Sequence, residues 1–554
     1  MVSRRGWRAL VLSLLVLGVF VVPVTLSNAS PIVINANENA HTLLLSLPGP
    51  FNGCSYLDPG ATPTSNAILD LVRPSAFVTG ANGTLVGENG AIASAELTSL
   101  QPETVRYTIA AGQNWSDGVA FTGHDLVSWW QRARSLASVT SDGYRAIKSL
   151  TLSHNALTVT AVFSSAYADW DQLFRDVESI GPPMGCAIHS LLTKPSLGPY
   201  RVTSASSNRV VLNMNTNWPL DPNRFGRIVI TDKQTLPSTR NAVYAGYSLA
   251  VGSAQVQTVS ARPSLLSRIA SSSNIEELTF APNSYFTRNV AVRKALSWSI
   301  SRQSLIDHRF GAVTLVPQVA ASAIYSQGQS QYPGTTGVGP VGQQPTTTIT
   351  NNGAANGLSD CSACAVDELV QSGHHRTASG WLNRAGKLLS VRLAVGPSAL
   401  DRTVATLIKN YWMRLGVSTT VMHENSEIQA SQAAATSDAD VAVFARPTLT
   451  TPSYAARSWA GPAYANTYPS GVRSVALTTL FNQASTIFNP VTAAATWLKL
   501  DQIIMKDYWV RPLFTAPSLA VWTSTLVTVQ NSFTVTGFVD QLPTWSIAPL
   551  APTT

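Results

Sequence analysis

Short segments with a two-residue hydrophobic period recur along the first half of the chain. Thr104–Ile109 and Thr158–Phe163 alternate apolar and polar residues, which predicts two half-buried strands. Tyr200–Val202 and Val210–Leu212 lie on either side of a polar turn and predict a β-hairpin. The first half of the chain is therefore expected to contain several short strands.

Helical periodicity follows residues that are typical of helix starts. Thr122 and Asp125 have the spacing of a capping box, in which the threonine hydroxyl accepts a backbone hydrogen bond and the carboxylate reaches back to the cap. Apolar residues then recur on one helical face, which predicts a helix after Thr122. Asn289–Phe310 is predicted to be a second helical region, with Asn289 as its cap.

Strands and helices alternate in the second half. The pattern predicts strands over Leu388–Val395, Val417–Val421, Val441–Ala445 and Trp509–Thr515, and helices over Val404–Leu415 and Trp497–Met505. Strand, helix and strand in succession are typical of parallel sheet units, so we expect an α/β protein. Residues 328–360 are rich in Gly, Pro, Thr, Asn and Gln, which predicts a long low-complexity loop.

The composition is that of a globular protein with more than one domain. The chain has 554 residues, of which 45% are hydrophobic and 12% are charged. That length predicts about two to four domains. Lys and Arg number 37 and Asp and Glu 29, and the basic residues are scattered along the chain. The pattern therefore excludes a nucleic-acid-binding groove and a polybasic membrane surface.

Residues 1–29 have the pattern of a signal peptide or an N-terminal anchor. Arginines precede the apolar run Ala9–Leu26, and Ser27–Ala29 supplies the small residues of a cleavage site. Both alternatives predict export, to the periplasm or to the outer face of the cytoplasmic membrane. Cys54 is too far from the apolar run to carry the lipid of a bacterial lipoprotein. We expect membrane contact only through the N-terminus or a membrane-bound partner.

The four cysteines, Cys54, Cys186, Cys361 and Cys364, are disulfide candidates because the chain is expected to be exported. Of the three possible pairings, Cys54 with Cys186 and Cys361 with Cys364 is the most economical. The CxxC spacing also occurs in zinc sites, but a zinc site needs four ligands and the sequence has no second CxxC. We therefore expect a loop disulfide there, and neither a metal nor a cofactor.

Several motifs together resemble the extracytoplasmic solute-binding proteins of peptide and nickel ABC transporters, family 5. The most specific segment runs from Tyr107–Ile109 through Trp115–Gly118 to Phe121–Asp125. Leu197–Tyr200 is similar to the family's Gly-Thr-Gly-Pro-Tyr hairpin, and Val292–Arg302 is similar to the helix that opens its second lobe. Because these motifs occur in the family's order, the resemblance covers most of the chain.

The resemblance implies a type II periplasmic-binding-protein-like fold, in which hinge strands join two α/β lobes that close on a ligand. It is the cluster C-like form, with an extra subdomain in lobe one. By that mapping, residues 30–280 and 518–554 form lobe one, and residues 281–517 form lobe two. The hinge crossings are expected near Glu277–Pro282 and Phe514–Ser518.

The resemblance further implies a receptor rather than an enzyme. Such a receptor captures a peptide or similar polar oligomer between its lobes and delivers it to the permease subunits of an ABC importer. We expect it to be a monomer. The chain has no GxSxG, HExxH or P-loop motif, which argues against catalysis.

One segment departs from the family pattern. Peptide receptors of this family carry acidic residues after the strand that matches Ala439–Phe444, and one of them pairs with the peptide's ammonium group. This chain has Arg446 there, and a guanidinium repels an ammonium but binds a carboxylate or phosphate. The candidate ligand-binding residues are Asn52, Ser55, Asn283, Tyr285, Phe286, Arg446 and Trp459.

A second hypothesis stays open beside the receptor. The same fold also occurs in non-transport proteins of the cell envelope, which act as scaffolds or regulators. A transport receptor needs a polar cleft that closes, whereas a scaffold protein is expected to have a filled cleft and an exposed apolar patch.

Overall fold

The computed structural model describes residues 42–547 except 59, 81–82, 139–140, 182–184, 219–224, 233–242, 250, 252, 312–316, 318, 328, 330, 334–360, 448–450, 462–466 and 533. The predicted signal segment at 1–29 and most of the predicted loop at 328–360 lie outside the described residues.

The described residues form twenty strands and thirteen α-helices, beside short 3-10 helices. The strands are β1 (Thr42–Ser46), β2 (Phe77–Thr79), β3 (Leu85–Gly87), β4 (Ile92–Leu100), β5 (Glu103–Ile109), β6 (Ile147–Leu152), β7 (Thr158–Phe163), β8 (Tyr200–Ser206), β9 (Arg209–Met214), β10 (Arg227–Thr231), β11 (Val243–Leu249), β12 (Leu265–Phe280), β13 (His375–Thr377), β14 (Gly380–Leu382), β15 (Ser390–Val395), β16 (Ser418–His423), β17 (Val441–Pro447), β18 (Val510–Thr523), β19 (Leu526–Val527) and β20 (Ser546–Ile547). The helices are α1 (Pro63–Asp70), α2 (Gly123–Ser135), α3 (Ser141–Ala146), α4 (Ser253–Ser260), α5 (Val290–Trp298), α6 (Arg302–Phe310), α7 (Ser362–Gln371), α8 (Ala399–Leu415), α9 (Glu427–Thr436), α10 (Pro452–Ala460), α11 (Val475–Ala484), α12 (Pro490–Lys506) and α13 (Val535–Val539).

One mixed sheet runs through most of the described chain. Its ten strands have the order β16-β15-β17-β12-β18-β11-β1-β10-β9-β8. β15 pairs in parallel with β16 and β17, and β1 pairs in parallel with β10 and β11, whereas the other neighbours are antiparallel. A smaller antiparallel sheet has the order β4-β5-β7-β6. The predicted α/β mixture is confirmed, and the predicted hairpin is β8 and β9.

The central strands β12 and β18 connect separate hydrophobic cores. Leu278 of β12 and Phe514 of β18 belong to a core with α5, α6 and α8. Further along β18, Ala520 and Trp522 belong to another core with β1, β10, α1 and α13. The small sheet packs with α2 in a third core, and α10, α11 and α12 form a fourth. Two adjacent strands are therefore shared between different cores.

Capping residues explain where two long helices begin and end. Thr122 and Asp125 form the predicted capping box of α2, and Ser398 and Asp401 form another at the start of α8. Gly416 ends α8 at a φ of 93°, a left-handed conformation that glycine adopts without a steric penalty. The predicted stop of this helix is confirmed.

The helical region predicted over Asn289–Phe310 consists of two helices. Asn289 caps α5, as predicted, and that helix ends at Trp298. The side chain of Ser301 then accepts a hydrogen bond from the backbone of Ser304 and begins α6. A serine side chain that bonds to a nearby backbone group favours the start of a helix over its interior. The predicted single helical region is therefore interrupted at Ser301, between α5 and α6.

The structure pairs Cys54 with Cys186 and Cys361 with Cys364, which is the pairing that the sequence favours. The two pairs are separated by 132 and 3 residues. Within the described ranges, no helix combines the length and the apolar composition that a membrane crossing requires. In the same ranges, no group of three or more metal-ligating side chains is arranged to hold a metal ion.

Candidate functional site

A small cavity lies beside the central strands of the large sheet. It encloses about 80 Å³. Most of the side chains that line it are polar. The lining consists of Tyr56, Pro63, Asn66, Thr79, Gln172, Arg175, Leu249, Ser273, Asn274, Thr534, Val535 and Thr536. These residues come from α1, β2, β11, β12, α13 and the loops beside them, so the cavity depends on the tertiary fold.

Arg175 is held at the cavity wall by the backbone on both sides of it. Phe174 and Asp176 have φ values of 54° and 49°, which are unusual for residues other than glycine. The backbone N–H of Phe174 donates to the hydroxyl of Tyr144 at 2.7 Å, and that of Asp176 donates to Ser75 Oγ at 2.9 Å. Such conformations persist where the surrounding contacts fix them. The orientation of Arg175 is therefore set by the fold.

Three buried carboxyl groups surround Arg175. Its Nη2 lies 3.4 Å from Asp70 Oδ2 and 3.3 Å from Thr79 Oγ1. Burial raises the pKa of Asp70, Asp176 and Asp540. The charge of Asp70 raises the pKa of the other two aspartates further. The nearby guanidinium of Arg175 lowers the pKa of all three. Although burial lowers the pKa of Arg175, the three aspartates raise it above its ordinary value. The guanidinium therefore stays charged, and its charge is balanced inside the protein.

Two polar atoms of the cavity lining have no hydrogen-bond partner in the described part of the chain. They are Nε of Arg175 and Oδ1 of Asn66, and both atoms are buried. Asn66 lies in the first turn of α1, where a capping box of Thr62 and Ser65 sets the start of the helix. The Arg175 atom is a donor and the Asn66 atom is an acceptor. Both atoms are covered by protein, so a group in the cavity does not reach them without a movement of the side chains.

Arg446 forms a bidentate ion pair with Glu277. Its Nε and Nη2 each lie 3.0 Å from a carboxylate oxygen of Glu277, and both side chains are 1% exposed. Arg446 also donates to the backbone carbonyl of Ala323. Nη1 of Arg446 has no hydrogen-bond partner among the described residues, but a ligand carboxylate or phosphate could bind the guanidinium bidentately only by displacing Glu277 or the Ala323 carbonyl. Removing one partner of a buried pair is costly. The proposed anion-binding role of Arg446 stays a prediction.

Two other candidates lie in the loop that leads to the cavity. The amide of Asn52 donates to the carbonyl of Gly60 at 2.9 Å. The hydroxyl of Ser55 donates to Asp58 Oδ2 at 2.8 Å. These bonds shape the loop around Tyr56. The hydroxyl of Tyr56 donates to the backbone carbonyl of Gln172, which also lines the cavity. Asn52 and Ser55 therefore support the wall of the cavity without lining it.

The remaining candidates are dispersed over other surfaces and cores. Tyr285 is exposed, with the ammonium of Lys387 4.0 Å from its ring centroid. Phe286 and Trp459 are buried in two different hydrophobic cores, and Asn283 is exposed. None of them is among the residues that line this cavity. Their contact with a ligand stays a prediction.

A second cluster of carboxyl groups includes a residue of the central strand β12. Glu276 of β12 is fully buried and shares a hydrogen bond with Asp401, which shares another with Glu427. A hydrogen bond between two carboxyl groups requires a proton. Burial raises the pKa of each group, and repulsion by Asp401 adds to the effect at Glu276 and Glu427. The pKa of Glu427 is raised to about 9, so the cluster holds protons at neutral pH.

The third core and the fourth core touch through polar contacts. The segment around α3 and residues 168–169 meets α10 and the end of α11. The contacts are the Asp142–Arg457 ion pair, the hydrogen bond from Ser453 to Asp169, and the backbone hydrogen bond from Ala168 to Ser485 at 2.9 Å. Arg457 is mostly buried and also packs over the ring of Phe481, 5.0 Å from its centroid. The two parts of the chain are therefore in contact away from the central strands.

Comparison with known proteins identifies the family. The model of bacterial extracellular solute-binding proteins, family 5 Middle, matches residues 89–466. The chain belongs to this family. The oligopeptide-binding protein OppA of Mycobacterium tuberculosis is 26% identical to this family 5 protein over 334 residues, which cover 56% of this chain and 55% of OppA. The chain thus spans about half the length of the curated relatives it matches.

Solved structures share the fold of this family 5 protein. The periplasmic EDTA-binding protein EppA has a TM-score of 0.76 at 19% identity, covering 92% of this chain and 97% of EppA. AppA from Bacillus subtilis, solved in complex with a nonapeptide, has a TM-score of 0.68 at 12% identity, covering 92% of this chain and 99% of AppA. The predicted periplasmic-binding-protein-like fold is confirmed.

Sequence reasoning missed the residues that line the cavity of this family 5 protein. Asn66 follows the Leu57-Asp58-Pro59 segment closely, and its place in a capped helix start was a usable local signal. Arg175 and Thr534–Thr536 carry no such signal, because they approach Asn66 only through the tertiary fold.

Proposed function

We propose that the protein is an extracytoplasmic receptor that captures a peptide or similar polar oligomer and delivers it to the permease of an ABC importer. The observation that carries this proposal is the pair of adjacent strands, β12 and β18, that run from one hydrophobic core to another, as hinge strands between two lobes do. The family membership and the name of the OppA relative support the same function.

In this proposal, residues 30–280 and 518–554 form one lobe and residues 281–517 the other. β12 and β18 then act as the hinge, and the contact between Asp142 and Arg457 joins the two lobes when the cleft is closed. Hinge closure around a ligand is a common motion of two-lobed binding proteins.

The test is mass spectrometry of small molecules released from the purified protein by denaturation, compared with its native mass. A bound oligomer is expected, and adding it back should raise the melting temperature, because a ligand that binds only the folded state stabilises it. An empty protein that no peptide, sugar or nickel pool stabilises would contradict the receptor function. That outcome would favour the cell-envelope scaffold.

A further inference from the structure

We propose that the disulfide between Cys361 and Cys364 is a thiol–disulfide exchange site, which oxidises a dithiol of a partner protein and becomes reduced while the surrounding fold stays intact. This activity is separate from solute capture and does not depend on it. The CxxC spacing occurs in redox pairs as well as in structural crosslinks. The surroundings of this pair favour the redox role for four reasons.

The first reason is the position of the pair at the start of a helix. Cys361 is the N-cap of α7, and its Sγ accepts a hydrogen bond from the backbone N–H of Cys364 at 3.1 Å. The N-terminus of a helix carries a partial positive charge, which stabilises a thiolate. The reduced pair can carry this negative charge, whereas the disulfide cannot. The helix therefore stabilises the reduced form, and a pair with a stabilised reduced form is a stronger oxidant.

The second reason is that the described charges near the pair leave this effect in place. The first turn of α7 contains no acidic residue. Glu368, in the second turn, is paired with the ammonium of Lys294 at 3.5 Å. Asp367 is exposed, so solvent and salt screen its charge. The positive end of the helix therefore stays available to a thiolate.

The third reason is access. Both cysteines are partly exposed, and the two residues between them, Ser362 and Ala363, are exposed and small. Thiol–disulfide exchange requires a thiolate to reach a sulfur atom of the disulfide. The segment that the disulfide closes has no large side chain that could shield the bond from a partner.

The fourth reason is that the fold does not depend on this bond. Ala365 and Leu369 of α7 are fully buried in the core shared with α5 and α8. The backbone N–H of Cys361 donates to the carbonyl of Trp298 at 2.8 Å. Reduction breaks neither contact. A link between residues 3 apart also restricts the unfolded chain little, so the native fold is compatible with both redox states.

The other disulfide provides a comparison within the same chain. Cys54 and Cys186 are 132 residues apart, and Cys54 is 2% exposed. Neither cysteine lies in the first turn of a described α-helix. A link across so many residues stabilises the fold more, and a structural disulfide of this kind resists reduction. We therefore expect the two disulfides of this protein to have different reduction potentials.

The exchange consists of two displacements at sulfur. A thiolate of the partner attacks Cys361 Sγ, so that a mixed disulfide forms and Cys364 leaves as a thiolate. The second thiolate of the partner then attacks the partner's own sulfur in the mixed disulfide, which closes the partner's disulfide and releases the Cys361 thiolate. The partner dithiol loses two electrons and two protons, the cysteine pair gains the electrons, and the protons go to the released thiolates or to water.

The experiment equilibrates the full chain, with both disulfides formed, in glutathione buffers at pH 7. Free thiols are then alkylated, and peptide mass spectrometry measures the reduced fraction of each pair. We expect Cys361–Cys364 to be half-reduced at a ratio of [GSH]² to [GSSG] at least tenfold lower than Cys54–Cys186, a difference of about 30 mV. Near-UV circular dichroism should stay native at that ratio. An equal or higher ratio for Cys361–Cys364, or loss of the native spectrum, would overturn the inference.

A pair of charge variants tests the role of the helix start. Ser362→Asp places a carboxylate in the first turn of α7 and is expected to raise the half-reduction ratio about threefold, because it destabilises a thiolate there. Gln371→Glu is the matched control, since it adds the same charge at the exposed last residue of the same helix. An unchanged ratio in Ser362→Asp, or an equal change in both variants, would overturn the inference.

A dithiol substrate tests the activity itself. The oxidised chain, mixed with a reduced peptide that carries two cysteines, should convert about one peptide per chain to its disulfide form, as measured by mass. The double variant Cys361→Ser with Cys364→Ser retains the Cys54–Cys186 disulfide and should oxidise at least tenfold less peptide. Equal oxidation by the double variant, or none by the native chain, would contradict an exchange site at α7.

Discussion

Glu276 occupies a position where a carboxylate is costly to bury. It lies on β12 with no exposed surface, its carboxyl group shares a hydrogen bond with Asp401, and the charge of Glu427 also acts on it. Such a cluster is stable only when some of its members keep their protons. At the scale of single residues, the fold therefore binds protons that the unfolded chain releases.

This proton binding predicts that stability falls with rising pH. The pKa of Glu427 goes from an ordinary 4.5 to about 9 in the folded protein. The contribution of Glu427 to the free energy of unfolding is therefore fully present below about pH 4 and is lost as the pH rises toward 9. Between these two pH values, the folded protein holds the proton and the unfolded chain does not. We expect the free energy of unfolding, measured by urea denaturation, to be larger at pH 5 than at pH 8.

The variant Glu427→Gln tests the cause of this dependence. The neutral amide cannot ionise, so the variant does not lose stability through this group as the pH rises. The free energy of unfolding of the variant, relative to that of the native chain, is therefore expected to increase between pH 5 and pH 9. Glu96→Gln, at an exposed position, is the control and is expected to keep the native pH dependence. If both variants keep it, the cluster is not its source.

At the scale of the element, periodicity predicted β17 and the first part of β18, the two neighbours of β12, but not β12 itself. The alternation of β7 and the capping box of α2 were visible in the sequence because both are local patterns. β12 was not predicted along its length, since serines at positions 271–273 interrupt its apolar pattern. Its identity as a strand depends on pairing with β17 and β18 on both sides, which no local pattern contains.

The candidate site was less predictable than the elements. The departure from the family pattern at Arg446 stays a prediction, and its partner Glu277 lies on another strand, which the sequence did not indicate. Asn66 and Arg175 are brought together by long-range contacts that a single sequence does not reveal. Sequence reasoning therefore reached the family and the order of elements, but not the side chains of the cavity.

The two disulfides are expected to contribute unequally to stability. Cys54→Ser with Cys186→Ser opens a link between residues 132 apart and should lower the free energy of unfolding by about 2–5 kcal/mol. Cys361→Ser with Cys364→Ser opens a link between residues 3 apart and should cost less, because a short loop restricts the unfolded chain less. Urea denaturation of both double variants measures the difference, and a larger loss for the second pair would contradict the expectation.

At the scale of the whole molecule, the polar contacts between the third and fourth cores involve residues outside the central strands. A contact that forms only in the closed conformation shifts the open and closed populations by its own free energy. In the proposed receptor, Asp142 and Arg457 therefore favour the closed form and slow the release of ligand.

A double-mutant cycle measures this coupling. Asp142→Asn and Arg457→Gln are each expected to weaken binding of the co-purified ligand, and the double variant is expected to weaken it by less than the sum of the two. The radius of gyration from X-ray scattering should increase in each variant, because open conformations become more populated. Additive effects with an unchanged radius would mean that the contact does not hold the lobes together.

The ten-stranded sheet has a consequence for how the chain must fold. β12 and β18 have neighbours on both sides only when both flanking sets of strands are in place. If either set unravelled alone, β12 or β18 would present an unpaired apolar edge, and such edges template association with other chains. The outermost strands β8 and β16 alternate exposed polar residues and are safe edges by comparison. The solubility of the chain therefore depends on the two flanking sets forming together.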